Sequence, residues 1–382
     1  MKYLLAITTA LLFTPAPTNA QEAGVKENVV VYKEAGRFAG WPANRGIWSW
    51  GDEIVLKFSL GYHDDNKSGG HPIDRRRPQT TKQARSLDGG HTWSIETPSY
   101  LNENGQEPEP TDPAGGVDFS HPNFALMFRM GGNDGSARFY YSQDRCKSWR
   151  GPFLFPKFGR KGILARTDYI VNGKHDLVAF LTATKDEGGE GWPFSARTTD
   201  GGKTWKFIGW IGPQPDPGGY AIMPSTVRLK SGAFLSIIRR RGVFDGKKRW
   251  WLEAFLSPDE GRSWYLLDQP RLPNHGNPAH MIRLRDGRLA LTYGWRDIPY
   301  GIRAKLSGDE GLTWSSENAL RNDGNSWDLG YPRTVQRSDG NCVTAYYFND
   351  RSGKERYIAA TVWDPGNAGL RSVSGDDSKA SR

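Results

Sequence analysis

A short motif ending in tryptophan recurs along this chain and constrains its fold more than any other feature. Its pattern is Ser/Thr-x-Asp-x-Gly-x-Ser/Thr-Trp, and clear copies occupy residues 86–93, 198–205, 257–264 and 307–314. A degenerate copy at residues 142–149 carries Cys146 where the others carry glycine. Successive copies begin 56, 56, 59 and 50 residues apart. A period of this length indicates a repeat architecture.

Each position of the motif has a local structural reason. An aspartate side chain accepts hydrogen bonds from the backbone N–H groups of its own turn. Glycine adopts the left-handed conformation that such a turn requires. The tryptophan packs beneath the hairpin and anchors it. We therefore expect every copy to be a structural turn.

The segments between the motifs are short β-rich runs bounded by turn residues, which is typical of an all-β fold. Each repeat holds four strands; in the third repeat these are residues 165–171, 176–182, 194–198 and 206–210. A sixth set near the C-terminus, residues 334–363, lacks the motif, and Asn28–Tyr32 can supply its missing outer strand. We predict a six-bladed β-propeller of four-stranded antiparallel blades, closed by the N-terminal strand so that no edge stays open.

The two ends of the chain differ from the repeats. Residues 1–20 combine Lys2, an apolar stretch from Leu4 to Phe13 and a small-residue site at Ala20, which predicts a cleaved signal peptide and a secreted or periplasmic protein. We expect the propeller domain to span residues 21–364 and a disordered tail to span 365–382. No other apolar run approaches the length of a membrane span. A monomer is expected.

The formal net charge of +9 favours an acidic partner. Export argues against nucleic acid, so an acidic oligosaccharide or polysaccharide is the expected ligand. The seven histidines show no metal-ligand spacing, and no phosphate-binding loop is present. Neither a metal nor a cofactor is predicted.

Blade geometry separates the motifs from the expected site. In an up-and-down blade, the turn between strands three and four lies at the opposite end from the start of strand one. The functional face is therefore expected where inner strands begin and where strands two and three are joined. The inner-strand starts contribute seven polar candidates: Arg45, His121, Asp168, Tyr169, Asn277, Tyr331 and Arg333. The connecting segments contribute six more: Asp74, Arg75, Glu190, Arg239, Arg240 and Arg296.

Arginines from different blades would converge on one axial funnel, where they bind carboxylates or sulfates in a bidentate manner. Structural interpretations compete with this one. The arginine runs at 75–77 and 239–241 are also compatible with solvated loop charges. His121 is compatible with a strand cap, Asp168 with a hydrogen bond between blades, and Tyr331 with an aromatic lining of the channel.

The motifs resemble the Asp-box repeats of the sialidase superfamily, and the ring of six blades resembles its propeller. The resemblance covers about residues 28–364. It implies an exo-sialidase, a lyase acting on uronate-containing glycans, or a non-catalytic propeller. For a sialidase it implies three arginines that bind the substrate carboxylate: Arg45, then Arg239, Arg240 or Arg241, and Arg296.

The resemblance also implies catalytic roles. Asp74 lies in the loop of the acid/base aspartate, where Asp64 and Asp65 compete with it. Glu190 is the assisting glutamate and Tyr331 the nucleophile. In a lyase, cations would make the C5 proton of a uronate more acidic. A histidine and a tyrosine would then remove that proton and protonate the leaving oxygen, and the candidates for these roles are His121, Tyr169 and Tyr331. We expect a sialidase-like exo-glycosidase acting on an acidic sugar, with the lyase and a glycan-binding propeller as alternatives.

Overall fold

Six β-sheets are arranged as propeller blades in a computed structural model that describes residues 21–22, 24–65, 69–130, 135–268 and 272–366. The all-β six-bladed architecture predicted from the repeats is confirmed. The predicted signal peptide lies outside the described residues, as does nearly all of the predicted tail. Among the described residues, no helix is long and apolar enough to cross a membrane.

The strands follow one another in chain order. The N-terminal strands are β1 (Gln21–Glu22) and β2 (Val25–Tyr32). Blade 1 holds β3 (Arg37–Gly40), β4 (Gly46–Trp50), β5 (Glu53–Tyr62), β6 (Thr80–Ser86) and β7 (Ser94–Glu96), with a 3-10 helix at Pro42–Asn44. Blade 2 holds β8 (Ala125–Met130), β9 (Ala137–Ser142) and β10 (Arg150–Phe155). Blade 3 holds β11 (Tyr169–Gly173), β12 (Asp176–Thr184), β13 (Glu190–Thr198) and β14 (Lys206–Trp210).

The second half of the ring follows the same plan. Blade 4 holds β15 (Tyr220–Arg228), β16 (Phe234–Phe244), β17 (Lys247–Ser257), β18 (Tyr265–Leu266) and β19 (Leu272–Pro273). Blade 5 holds β20 (Ala279–Arg283), β21 (Leu289–Trp295), β22 (Gly301–Ser307) and β23 (Asn318–Arg321), with β1 added in parallel beside β23. Blade 6 holds β24 (Gly330–Gln336), β25 (Cys342–Phe348) and β26 (Tyr357–Trp363).

The ring closes as the sequence predicts, because β2 pairs antiparallel with β26 as the outer strand of blade 6. Val29 faces Ala360 in this register, and the Thr361 hydroxyl donates to Asn28 Oδ1 across 2.7 Å. The apolar faces of the blades pack against one another, and the resulting core clusters contain mostly fully buried side chains. Closure therefore joins the two ends of the repeat array.

The five tryptophan motifs form the hydrogen-bonded turns expected of them. In the first, Asp88 Oδ1 accepts from the N–H of Thr92 at 2.9 Å, and Asp88 Oδ2 accepts from the Thr92 hydroxyl at 2.6 Å. Ser86 Oγ accepts from Gly90 N–H at 2.7 Å, and the indole of Trp93 donates to the Gly90 carbonyl at 2.9 Å. In the degenerate copy Cys146 adopts a positive φ of 63°. We call the end of the propeller that carries these turns the turn rim.

Blade 2 departs from the sequence prediction. Its sheet has three strands among the described residues, and β8 occupies the place of a second strand. Residues 118–124 form a turn in which the Asn123 carbonyl accepts from Arg145 N–H at 3.1 Å, just as the Asp52 carbonyl accepts from Gly89 in blade 1. His121 therefore lies at the turn rim, and its predicted position at the start of an inner strand is wrong.

Side chains of blade 3 cover the edge of β8 that an innermost strand would otherwise pair with. The Thr167 hydroxyl accepts from Phe128 N–H at 3.1 Å, and the Tyr169 phenol accepts from Leu126 N–H at 3.3 Å. Buried backbone donors need partners, so these two side chains replace part of a missing ladder.

Candidate functional site

Three inner strands begin with the same unusual backbone at the rim opposite the turns. Trp41, Met223 and Tyr331 each precede a proline and have positive φ values of 58°, 56° and 52°. The strand register shifts at Met223 and at Tyr331, and a 3-10 helix interrupts the inner strand after Trp41. All three side chains belong to one buried cluster. Positive φ in bulky residues is uncommon and concentrates at functional sites, so this rim is the candidate functional site.

Tyr331 is held by its backbone and by its hydroxyl. Its N–H donates to Asn277 Oδ1 at 2.9 Å, and Asn277 is itself fully buried and bound to the Leu329 carbonyl. The phenolic oxygen accepts a hydrogen bond from Arg239 Nη1 at 3.1 Å. Only 7% of the residue is exposed. Asn277, a predicted substrate ligand, is thus placed to orient Tyr331.

The charges around Tyr331 change its acidity. Burial acts to raise the pKa of this phenol, but the guanidinium groups of Arg239, Arg296 and Arg166 stabilise the phenolate and leave the pKa below its ordinary value. Where burial dominates, the opposite result follows: burial raises the pKa of Tyr169 to about 12, although the charge of Arg333 opposes the increase. Tyr331 is therefore electrostatically prepared to lose its proton.

Two arginines at this site keep donors without a hydrogen-bond partner among the residues that the structure describes. Arg166 is bound to Asn44 and Glu190, each at 3.1 Å, but its buried Nη1 has no hydrogen-bond partner in the described part of the chain. The buried Nε of Arg239 is likewise without one. Buried donors that lack partners are costly, and an anionic ligand would satisfy both. Arg166 was not among the predicted site residues, although it lies only three residues before β11.

Arg296 has a different function in the architecture. Its guanidinium donates to the Gly276 carbonyl at 2.9 Å, to the Leu329 carbonyl at 3.2 Å and to the Tyr347 hydroxyl at 3.0 Å. Its charge lies 5.7 Å from the ring centre of Tyr331. Arg296 therefore acts on the site through its charge, while its hydrogen bonds hold blades 5 and 6 together.

A histidine and a carboxylate that the sequence analysis did not propose complete the cluster. His71 Nδ1 lies 2.5 Å from Asp328 Oδ1, and Asp328 also accepts from the hydroxyl of Tyr347 at 2.7 Å. The His71 ring contacts Trp41 and Trp327 and remains partly exposed. Burial acts to raise the pKa of Asp328, but His71, Arg356 and Tyr347 hold it below its ordinary value, so it stays ionised.

The axial site is defined here as Tyr331, Arg239, Arg166, Arg296 and His71. The rings of His71 and Tyr331 both pack against Tyr347, at 6.4 and 5.8 Å between centroids, which places the histidine and the phenol beside one ring. Glu190, at the start of β13, adjoins the site through its ion pair with Arg166. Of the thirteen predicted residues, the structure brings Tyr331, Arg239, Arg296 and Glu190 together, with Asn277 behind them.

Other predicted residues of the first blade have different surroundings. Arg45 enters the interface between blades 1 and 2, where its Nη2 donates to Ser59 Oγ at 3.2 Å. Asp74 forms a two-point ion pair with Arg76, which holds the pKa of Asp74 below its ordinary value. Arg75 is exposed in the same loop. A carboxyl group held ionised by its neighbour is a poor proton donor.

Asp168, Tyr169 and Arg333 lie on the inner strands where blades meet. Tyr169 accepts from the indole of Trp48 at 3.2 Å as well as from β8. Arg333 donates to the carbonyls of Ala43 and Thr167, which joins blade 6 to blades 1 and 3. Burial raises the pKa of Asp168 to about 7, although the charge of Arg333 opposes the increase. These contacts tie the blades together across the axis.

Strand alternation separates the two neighbouring arginines of β16. Arg239 faces Tyr331, whereas Arg240 lies on the other face of the strand, with Glu253 at 3.0 Å and Trp251 at 5.8 Å. His121, at the turn rim, accepts at Nδ1 from Asn123 N–H across 3.2 Å. Neither residue contributes to the axial site. No group of three metal-ligating side chains occurs in the part of the chain that the structure describes.

Solved structures share this fold. A Dyadobacter fermentans protein of unknown function is 23% identical, with a TM-score of 0.68 over 89% of this chain and 98% of that one. A Trypanosoma rangeli sialidase in complex with sialic acid is 14% identical, with a TM-score of 0.55 over 90% of this chain and 59% of that one. A Penicillium chrysogenum alpha-L-arabinanase complexed with arabinobiose is 14% identical, with a TM-score of 0.57 over 89% and 98%.

These likenesses establish a common propeller that includes glycoside hydrolases. No curated protein sequence matches the chain. The family model described as a BNR repeat-like domain matches residues 130–344. Because this match covers more than half of the chain, the protein belongs to the BNR repeat-like domain family.

Proposed function

We propose that the protein is a glycoside hydrolase that binds an anionic sugar at the axial site and uses Tyr331 as its nucleophile. The observation that carries the proposal is the buried Tyr331 phenol, which accepts a hydrogen bond from Arg239 and has a lowered pKa. Structural neighbours of the chain include sialidases and arabinanases. The resemblance to sialidases implies a tyrosine nucleophile on the inner strand of blade 6, where Tyr331 lies.

The anionic group of the sugar binds to Arg239 and Arg166. Both have a buried N–H group without a partner among the described residues, and guanidinium groups bind carboxylates with paired hydrogen bonds. Arg166 is proposed to bind the carboxylate in place of Arg45, for which the resemblance implied this role, because the side chain of Arg45 lies between two blades. A carboxylated sugar fits this arrangement better than a neutral one, because Arg166 pairs with Glu190 whereas a neutral sugar would leave the buried charge of Arg239 without a carboxylate.

The chemistry follows from the positions of Tyr331 and His71. The Tyr331 oxygen attacks the anomeric carbon while the glycosidic C–O bond breaks, and the leaving oxygen takes the bonding electron pair and a proton from His71. Asp328 holds the imidazole at Nδ1, which leaves Nε2 for this transfer. Water then attacks the anomeric carbon, His71 takes a proton from that water, and Tyr331 is released. Glu190, paired with Arg166, is the carboxylate proposed to accept the Tyr331 proton.

The proposal also includes the setting of the enzyme. The signal peptide expected at residues 1–20 would export the protein, so its substrate would be an extracellular or periplasmic glycan. A monomer suffices, since every residue of the axial site comes from one ring.

A matched pair of tyrosine variants tests the function. Purified protein is assayed with a fluorogenic sialoside and, separately, with a fluorogenic arabinofuranoside. Tyr331→Phe should lower kcat by roughly 10³-fold or more, as expected for the loss of a covalent nucleophile. Tyr265→Phe, which changes an exposed tyrosine on an outer strand, should leave kcat unchanged. Unchanged activity of Tyr331→Phe would exclude this mechanism, and preference for the arabinofuranoside would exclude the anionic substrate.

A uronate lyase is the second candidate, and the pairing of an acidified Tyr331 with His71 favours it specifically. In that reaction the Tyr331 phenolate would take the C5 proton and His71 would protonate the leaving oxygen, while Arg239 and Arg166 neutralise the carboxylate. Incubation with uronate polymers, followed by the ultraviolet absorbance of the unsaturated product, distinguishes the two reactions. Binding without either product would instead support the glycan-binding propeller.

A further inference from the structure

The interface between blades 1 and 2 contains an excess of buried positive charge. Lys57 on β5 and Arg45 before β4 belong to blade 1, while Arg129 and Arg138 belong to blade 2. Glu107, from the connection between the blades, pairs with Arg129 and lies 3.3 Å from Arg138. It is the one carboxylate found in ion pairs with these four cations among the described residues. One negative charge therefore faces four positive charges.

Lys57 is the most unusual member of this cluster. The residue is fully buried, and its Nζ has no hydrogen-bond partner within the described part of the chain. The ammonium lies 3.4 Å from the ring centre of Trp149 and 4.5 Å from that of Tyr100. The faces of aromatic rings stabilise a cation, but they do not replace a carbonyl or carboxylate oxygen as hydrogen-bond acceptor. They also restore only part of the solvation that the ammonium loses on burial.

Two arginines have free donors in the same interface. The Nε atoms of Arg45 and Arg138 are buried and have no hydrogen-bond partner in the described ranges. The cations also act on one another, because the charges of Arg45 and Arg138 both disfavour the charged form of Arg129. Burial, with Arg45 and Arg129, holds the pKa of Lys57 well below its ordinary value. Both effects are those of positive charge without sufficient compensation.

A neighbouring ion-pair network in the same interface has equal numbers of positive and negative side chains. Arg85 pairs with Glu53 at 2.5 Å and with Glu96 at 2.7 Å, and Arg145 pairs with Glu53 at 3.1 Å. Two cations there face two carboxylates. The excess around Lys57 is therefore a local feature and does not extend over the interface as a whole.

We propose that a small inorganic anion of the halide class binds between blades 1 and 2, held by Lys57, Arg45 and Arg138. A bound anion would accept hydrogen bonds from all three and supply the missing negative charge, which a water molecule does not. A spherical ion suits donors that approach from two blades. The site joins blade 2, with its three strands, to blade 1, and it is independent of the axial site and of the proposed reaction.

Thermal unfolding in matched salts tests the site. The protein is dialysed into sodium gluconate, and bromide or chloride replaces gluconate at constant ionic strength. The Tm should rise with halide concentration and reach a plateau, as expected for a ligand that binds only the folded state. Lys57→Gln should abolish the rise, whereas Lys147→Gln, at an exposed lysine, should retain it. Arg138→Gln serves the same purpose as Lys57→Gln if the latter does not fold.

A crystal soaked in bromide provides the direct observation. The expected result is an anomalous peak between Lys57, Arg45 and Arg138 that disappears in Lys57→Gln or Arg138→Gln crystals. A Tm that does not depend on halide, or a full halide effect in both variants, would overturn the proposal. A peak elsewhere, with no density among these three residues, would overturn it as well.

Discussion

Arg239 on the fourth blade donates a hydrogen bond from Nη1 to the phenolic oxygen of Tyr331 on the sixth blade, across 3.1 Å. The contact joins two strands whose residues are 92 positions apart in the chain. It places a fixed positive charge beside a phenol whose burial would otherwise make it less acidic. The acidity of Tyr331 is thus a property of two blades.

Removal of this cation should move the pH dependence of the reaction to higher pH. Arg239→Gln raises the pKa of Tyr331, because the phenolate loses its hydrogen-bonded positive charge, so a reaction that needs the phenolate requires more alkaline conditions. We expect kcat/KM to fall by about 10²–10³-fold, the usual effect of losing one electrostatic stabiliser. Profiles of kcat/KM against pH provide the measurement. Arg262→Gln, an exposed arginine in a turn, is the control, and coincident profiles for Arg239→Gln and the parent would contradict the prediction.

Two histidines provide a test of which rim carries the chemistry. His71→Gln should lower kcat by about 10²–10⁴-fold, because it removes a general acid while keeping a polar side chain near Asp328. His121→Gln should leave kcat unchanged, because His121 lies at the turn rim. The measurement is kcat of both variants from steady-state kinetics, with Tm values to confirm that each variant is folded. The reverse pattern of activities would move the site to the turn rim.

Asp168 should make the stability of the protein depend on pH. Burial raises the pKa of its folded form to about 7, above the value of about 3.9 in unfolded chains. The folded state therefore binds an extra proton between these values, and stability falls as pH rises through about 7. Asp168→Asn removes this term, so its stability relative to the parent should increase by about 2–3 kcal/mol from pH 5 to pH 8.

Denaturant titrations of parent and Asp168→Asn at several pH values measure that difference. His280, which burial keeps neutral, contributes the opposite slope, but it does so equally in both proteins. Asp176→Asn, at a less buried aspartate in the same blade, is the control. A constant difference between Asp168→Asn and the parent across the pH range would show that Asp168 is ionised throughout.

The turn rim should affect stability and leave catalysis alone. Asp88→Ala removes the acceptor for Thr92 and should lower the free energy of unfolding by about 1–3 kcal/mol. Partial burial acts to raise the pKa of Asp88, but the hydrogen bonds of its turn hold it at about 2. Its contribution should therefore be present above about pH 4 and disappear as pH falls through about 2. Urea unfolding and kcat are measured together, and a loss of kcat without a loss of stability would contradict the prediction.

The repeats predicted the fold because each motif fixes one turn by hydrogen bonds within eight residues. Blade 2 was harder to predict. His121-Pro122 shows the same pattern as Tyr331-Pro332, a polar ring followed by proline, but it lies in a turn. The site was harder still. Arg239 and Arg240 are adjacent in sequence, and only the register of β16 in its sheet decides which faces the axis. Arg166, His71 and Asp328 belong to separate blades, so no sequence pattern links them.

Closure by β2 has a consequence for how the chain matures. The early strand β2 pairs with β26, the last strand among the described residues, and the hydrogen bond between Asn28 and Thr361 spans 333 positions. Such a contact cannot form until the whole ring has been made, and bringing together segments so far apart is slow. During translation, the open edges at β2 and β26 would remain available to other chains. The chain is therefore most vulnerable to aggregation in the interval before its ring closes.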